Sequence, residues 1–300
     1  TTVCLLYTLV FRTIEYDKND KVNNYAINFG GTIMIMDNIM SQLENDLNNM
    51  QEETKYKDDE TETEKEIGDD YSEIESVYFA FIDVLGFSTK FGAGVKNKEK
   101  KNKLANDYKD IFNYFFLLIN SSKLLENDQN TCAGQTSDSL YFYTDRVDRM
   151  IEFLKIYSHF SLYAMSKNIF FRGGIAKGCL FKNQPYQFFG DSIIKAYSLE
   201  SEISRNPIIT VDSSASKDLN EEKIFNKMKK EDKDNNRIYI DPFYGWGRNN
   251  LDVHLEDGIK PRDINYDKIE EIIKENLNDF EYDDKNYHKY LFLEKALPNK

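Results

Sequence analysis

The stretch Ser76–Lys90, SVYFAFIDVLGFSTK, constrains this chain more tightly than any other. Val77 to Ile82 is an unbroken run of apolar, aromatic and β-branched residues, the composition of a buried strand. Asp83 closes the run, and Val84-Leu85-Gly86-Phe87-Ser88-Thr89 follows. A carboxylate at the end of a buried strand is costly unless a cation or several N–H donors pair with it. Gly86 permits a tight turn, and Ser88 or Thr89 is suited to cap a following helix. Two readings fit. One is a place for a divalent cation beside backbone N–H groups that hold anionic oxygens; the other is an ordinary strand-to-helix turn.

Downstream, helical and strand-like patterns alternate. Leu104, Tyr108, Ile111, Phe112, Phe115, Phe116 and Ile119 recur at three- and four-residue spacing, which predicts a wide-striped helix over 101–125. Residues 131–143 predict a strand, a tight turn carrying Asp138, and a second strand. A helix over 147–167 follows, then a glycine-rich strand beginning at Ile169 and a hairpin around Asn183-Gln184-Pro185. Gly190-Asp191-Ser192 opens a third helix over 193–204, and strands are expected at 207–212 and 237–242, separated by a Lys- and Asp-rich stretch. Residues 77–212 therefore read β, α, β-β, α, β-β, α, β. That order implies an α+β fold, a ferredoxin-like antiparallel sheet with helices packed on it. In such a fold the end of the first strand adjoins the turn of the central hairpin, so Asp83 and Asp138 are expected side by side. Two close carboxylates repel unless a divalent cation lies between them.

Four segments are expected: an N-terminal extension (1–50), an acidic linker (51–75), the main domain (76–242) and a partly helical C-terminal extension (243–300). The extension contains strand-like stretches at Val3–Phe11 and Tyr25–Phe29 and a helical pattern over 36–50. The linker's composition is that of a disordered segment. Residues 51–76 carry twelve Asp/Glu against three Lys, so −9 of the net −13 lies there and the remainder holds about −4. That balance argues against a nucleic-acid surface and says little about a small anion held by a metal. The longest early apolar run, Val3–Phe11, is too short to span a membrane and lacks a signal peptide's charged start. The chain opens on Thr, and Met34, Met36 and Met40 are candidate starts. Cys4, Cys132 and Cys179 form no CxxC pair, and His159, His254 and His288 form no metal motif, so a reducing cytoplasm is expected.

At this point the residues resemble the catalytic domain of the class III nucleotidyl cyclases. Phe81-Ile82-Asp83-Val84-Leu85-Gly86-Phe87-Ser88 is similar to that family's F-x-D-[IV]-x-G-F-[ST] motif, and Ser137-Asp138 resembles the turn bearing its second metal aspartate. Arg172-Gly173-Gly174-Ile175 with Gly178 is similar to the R-x-G-I-x-x-G strand, and Phe188-Phe189-Gly190 through Leu199-Glu200-Ser201 resembles the family's fourth motif. The resemblance implies two Mg²⁺ or Mn²⁺ ions on Asp83, Asp138 and the Val84 carbonyl. It further implies a triphosphate held by the backbone of Leu85, Gly86, Phe87 and Ser88. It implies cyclisation of a nucleoside triphosphate with loss of pyrophosphate, and a homodimer with its sites at the interface. Stand-alone divergent members with altered base pockets include the bacterial antiphage pyrimidine cyclases of the Pycsar type, which this chain also resembles.

The departures are specific. Ile194 stands where the family carries a ribose-orienting Asn, and Ser198 where it carries a transition-state Arg. Lys195, Arg172 and Arg205 are the substitute candidates for a cationic donor, with Tyr197 a hydrogen-bonding one, and Lys195 and Arg205 also read as ordinary solvated helix charges. Gln135 and Gln187 occupy the neighbourhoods that read the base, and an amide both donates and accepts there. Three functions compete: an active cyclase, a catalytically silent nucleotide-binding or interaction module, and a palm-type polymerase domain. The last normally shows a GG-D-[DE] hairpin, where this chain has Thr136-Ser137-Asp138-Ser139.

Overall fold

The computed structural model describes residues 26–29, 32–35, 71–87, 98–184, 187–233, 235–247, 255–256, 259–280 and 284–298. The chain divides into two compact units, Thr1–Ile67 and Gly68–Lys300. The first contains an antiparallel hairpin of β1 (Ala26–Phe29) and β2 (Thr32–Ile35), with Ala26 opposite Ile35. The expected strand at Val3–Phe11, the helix over 36–50 and residues 51–70 of the expected linker lie outside the described residues, as do Ser88, Thr89 and His254. Residues 72–75, expected in the disordered linker, instead pair in the sheet as the start of its central strand.

The second unit is α+β, an eight-stranded and mostly antiparallel sheet with helices packed on it. Its strands are β3 (Ser72–Val84), β4 (Cys132–Thr136), β5 (Ser139–Thr144), β6 (Phe171–Gln184), β7 (Gln187–Phe189), β8 (Ile209–Val211), β9 (Lys229–Asp232) and β10 (Arg237–Ile240). They run in the order β4-β5-β3-β6-β8-β10-β9, with β7 paired to β6 and only β6–β8 parallel. The centre is β3, whose side chains alternate between two layers. Tyr78, Ala80, Ile82 and Val84 enter the main core, under α1 (Lys98–Ser121) and α2 (Val147–Met165). Val77 and Phe79 enter a second cluster with Tyr141, Tyr143 and Ala176.

That second face is covered by α3 (Asp191–Ser198), which seats Ala196 against the sheet. Gly174 is what lets it approach: a Cβ there would run into the Ala196 carbonyl and the Leu199 Cβ. The helix expected to continue to residue 204 instead widens at Ser198 into a π-helical turn, Leu199–Ile203, closed by the Ser204 N–H on the Leu199 carbonyl at 2.8 Å.

The Lys- and Asp-rich stretch between the last two predicted strands is structured. It holds α4 (Ser213–Leu219), α5 (Phe225–Met228) and β9, because Leu219, Phe225 and Met228 reach the main core. Beyond β10, α6 (Tyr266–Asp279) and α7 (Lys285–Ala296) form a smaller core, where Ile269, Ile273, Tyr290 and Leu293 meet Leu85, Leu162, Phe170 and Phe243. Trp246 packs there between Phe243 and Tyr266, with ring centroids 5.3 and 4.7 Å away. Arg262, in the coil before α6, lies over the rings of Tyr114 and Tyr163 and bonds Asp110 at 2.7 Å. No described helix is long and apolar enough to cross a membrane.

Candidate active site

The register at the end of β3 assembles the site. Asp83 stands opposite Ser139 on β5 and opposite Arg172 on β6. The β4–β5 turn is made by Ser137 and Asp138, and Ser137 takes the left-handed conformation (φ 57°) that reverses the chain there. Asp138 therefore sits immediately before Asp83's cross-strand partner. The Ser139 hydroxyl donates to Asp83 Oδ1 at 2.9 Å, and the Arg172 guanidinium lies 3.8 Å from Oδ2. Asp138, partly buried, has no hydrogen-bond or ion-pair partner among the described residues.

Burial pushes the Asp83 carboxyl up to about 6, and the Asp138 charge adds to it against Ser139 and Arg172. Arg172 also faces Glu200, which the π-helical turn places 3% exposed, with its Oε1 2.5 Å from Arg172 Nε. That contact is an ion pair whose angle falls outside hydrogen-bond geometry. Burial lifts Glu200 to about 7; Arg172 opposes the shift, and the charges of Asp83 and Asp138 reinforce it. The Tyr108 hydroxyl, on α1, is held well above its usual range by burial and by the same two aspartates. Three acids and one guanidinium thus share a poorly solvated end of the sheet.

The turn after Asp83 is partly committed to other bonds. The Leu85 N–H donates to the Phe170 carbonyl at 2.8 Å, so it is engaged within the fold. Gly86 has φ +74°, the left-handed conformation that this turn requires, and no described residue stands within 4 Å of where a Cβ would point. Phe87 packs edge-on against Tyr108, with centroids 5.3 Å apart.

The remaining candidates are dispersed within one chain. Lys195 pairs with Asp191 at 2.7 Å and lies 3.4 Å from the Lys177 carbonyl. Lys177 stands opposite Tyr78, five residues back along β3 from Asp83 and roughly 17 Å away at ~3.3 Å per residue. Ile194, 63% exposed, and Tyr197 share that helix, with Tyr197 edge-on to Phe81. Gln135 is near the acid pair, its amide nitrogen donating to the Ser137 carbonyl at 2.7 Å. Gln187 is at the other end of β6, opposite Gln184, on the order of 40 Å along the strand from Arg172. Arg205 is exposed and lines a separate groove beside β8 and β10.

Glu200 and Ser139 stand at the site with no role expected of either from the sequence. The signal was present: an acid following Leu199 in an otherwise apolar helix stripe, and a hydroxyl beside the second aspartate. Among the described residues no group of three or more His, Cys, Asp or Glu side chains is arranged to hold a metal ion. The acid pair at this end of the sheet is Asp83 and Asp138.

No protein family profile matches the chain, and no curated protein matches it. Among solved structures it is similar to the dimeric guanylyl cyclase domain of the RhoGC fusion protein from the aquatic fungus Blastocladiella emersonii. The identity is 14% over 57% of this chain and 94% of that one, with a TM-score of 0.40. It is also similar to the guanylate cyclase domain of RhGC from Catenaria anguillulae in complex with GTP, 16% identical over 56% and 95%, TM-score 0.37. A bacterial light-regulated adenylyl cyclase is 13% identical over 68% and 98%, TM-score 0.36. Overlap of this extent assigns the chain no activity.

Proposed function

We propose that the chain is a metal-dependent nucleotidyl cyclase, converting a nucleoside triphosphate into a 3′,5′-cyclic mononucleotide and pyrophosphate. The observation that carries the reading is the meeting of Asp83 and Asp138 at one sheet end, where Asp83 is raised to about 6 by burial and by its neighbour. The donor set fits a hard divalent cation: two close carboxylates, one of them with no partner among the described residues, are relieved by positive charge between them. Two Mg²⁺ or Mn²⁺ ions, held by Asp83, Asp138 and the Val84 carbonyl, would supply charge against the triphosphate oxygens.

The chain's own residues set the geometry. Ser139 and Arg172 fix the Asp83 side chain from two sides, and Glu200 holds the far side of Arg172. Phosphate oxygens would approach the backbone N–H groups of Gly86, Phe87 and Ser88, with Leu85 serving the turn. Lys195 and Gln187 lie away from Asp83 and Gln135 along the sheet, so an antiparallel homodimer would bring each end of one copy to the other end of its partner. In that arrangement Lys195 supplies the cationic donor, and Gln135 and Gln187 read the base from opposite sides. The free thiols Cys132 and Cys179 fit a reducing compartment such as the cytoplasm.

The test is incubation of the full chain with each of the four nucleoside triphosphates and Mn²⁺, with products identified by mass spectrometry. A cyclic mononucleotide from at least one base is expected, and Asp83→Ala and Asp138→Ala should each remove it. A verified dimer that yields no cyclic product from any of the four overturns the reading. It would favour a catalytically silent nucleotide-binding module, which Ile194 and Ser198 at the donor positions motivate.

A further inference from the structure

A groove of about 760 Å³ opens beside β8 and β10, on the α3 face of the sheet and two strands from Asp83. Its floor is Thr210, Arg237 and Tyr239, adjoining positions because Tyr239 stands opposite Thr210. Strand alternation turns Ile238 and Ile240 to the core side, which leaves Arg237 and Tyr239 facing the groove. One wall is the segment after the π-helical turn, with Arg205 and Asn206; the other is Phe292 of α7. Neither Asp83, Asp138 nor Arg172 contributes to it.

Three features of the lining define its chemistry. First, Arg205 and Arg237 have no ion pair or side-chain hydrogen bond among the described residues, although three carboxylates line the same groove. Two exposed guanidiniums at one concave surface, neither held by a protein carboxylate among the described residues, match a phosphate or carboxylate in bidentate geometry. Second, Tyr239 and Phe292 meet edge-on with centroids 6.0 Å apart, an aromatic corner against which a planar ring packs. Asn206 beside it offers a donor and an acceptor to such a ring's edge.

Third, the charge is nearly balanced. Arg205, Lys233 and Arg237 share the lining with Glu202 and Asp232, while the Glu231 side chain, opposite the core-facing Ile238, pairs with Lys229 at 3.6 Å. Such a lining rewards an anion of one or two charges and penalises a triphosphate, whose further charges would meet the carboxylates. The volume suits a ligand of mononucleotide size.

We propose that this groove is a second ligand site, taking a nucleoside monophosphate with its phosphate on Arg205 and Arg237 and its base against Tyr239 and Phe292. The site stands apart from the carboxylate pair and does not depend on the cyclase reading. A linear and a cyclic monophosphate share the chemistry that the groove recognises.

The experiment is isothermal titration of the full chain in EDTA, which disables any metal-held nucleotide at Asp83 and Asp138. The probes are the four nucleoside 5′-monophosphates, their 3′,5′-cyclic forms, a nucleoside triphosphate and inorganic phosphate. At least one monophosphate is expected to bind one per chain, ten-fold or more tighter than inorganic phosphate and than its own triphosphate. Arg205→Gln and Arg237→Gln should each weaken it about ten-fold, and Tyr239→Leu should weaken the nucleotide but not phosphate. Asp83→Asn should leave it unchanged. Absence of saturable binding by every monophosphate, equal binding of phosphate alone, or loss on Asp83→Asn with none on Arg205→Gln overturns the proposal. Because both arginines are exposed, their variants are expected to keep the parent's thermal midpoint. Should either lower it, competition between the monophosphate and inorganic phosphate on the unaltered chain decides.

Discussion

His159 sits 8% exposed on α2 with its Nε2 2.8 Å from the Tyr114 hydroxyl. That hydroxyl already accepts the Arg262 N–H at 2.8 Å, so its own proton is directed to a neutral imidazole. Burial holds His159 down to about 4, while the Arg262 backbone pulls the other way. A base depressed on folding leaves the unfolded chain binding more protons between the two values. The associated stability is therefore complete above about 6.5 and is lost as pH falls toward 4, by on the order of 3 kcal/mol. Urea unfolding at pH 7 and pH 4.5 should show that loss, and His159→Gln should show a smaller one; equal losses would remove His159 as its source. At Arg172 the expectation concerns a buried partner. Arg172→Leu leaves Glu200 without its counter-charge and should cost about 3 kcal/mol in chemical unfolding, more than Glu200→Gln.

Between elements, two contacts carry disproportionate weight. Gly174→Val would push α3 from β6, because the added atoms meet the Ala196 carbonyl and Leu199; a loss of ~1–3 kcal/mol in urea unfolding is expected. Leu293 of α7 is fully buried in the smaller core, and Leu293→Ala should cost about 2–4 kcal/mol by the same measurement. The elements also mark what the sequence could disclose. The aromatic stripe from Tyr108 to Ile119 read correctly because burial there has a helical period, and the apolar run before Asp83 because a central strand buried on both faces is apolar throughout. The acid pair was legible for the same reason: a strand end and a hairpin turn fix Asp83 and Asp138 once the strands are found. Phe225 and Met228 were obscured by flanking lysines, and α7 by a pattern with apolar residues on several sides. The environment of Glu200 was hidden more deeply, since a π-helical turn breaks the 3.6-residue period from which its direction would be read.

For the whole molecule, the Gly68–Lys300 unit contains the eight-stranded sheet, and the smaller core under α6 and α7 belongs to it. A chain starting at Gly68 is expected to unfold cooperatively, with a thermal midpoint within a few degrees of the parent. The proposed assembly is tested by mixing. Asp83→Ala and Lys195→Ala chains, each inactive alone, should recover about a quarter of parental turnover when co-refolded, because half of random pairs are mixed and each mixed pair keeps one intact site. No recovery would mean that each copy works alone. Trp246 is the chain's single tryptophan, lodged between Phe243 and Tyr266 in the smaller core. Its emission is therefore a built-in optical probe of the C-terminal helices alone, whereas far-ultraviolet dichroism averages over every helix and strand. Coincident melting of the two signals would mean that the small core and the large sheet come apart as one, and an earlier fluorescence transition that the C-terminal layer peels away first.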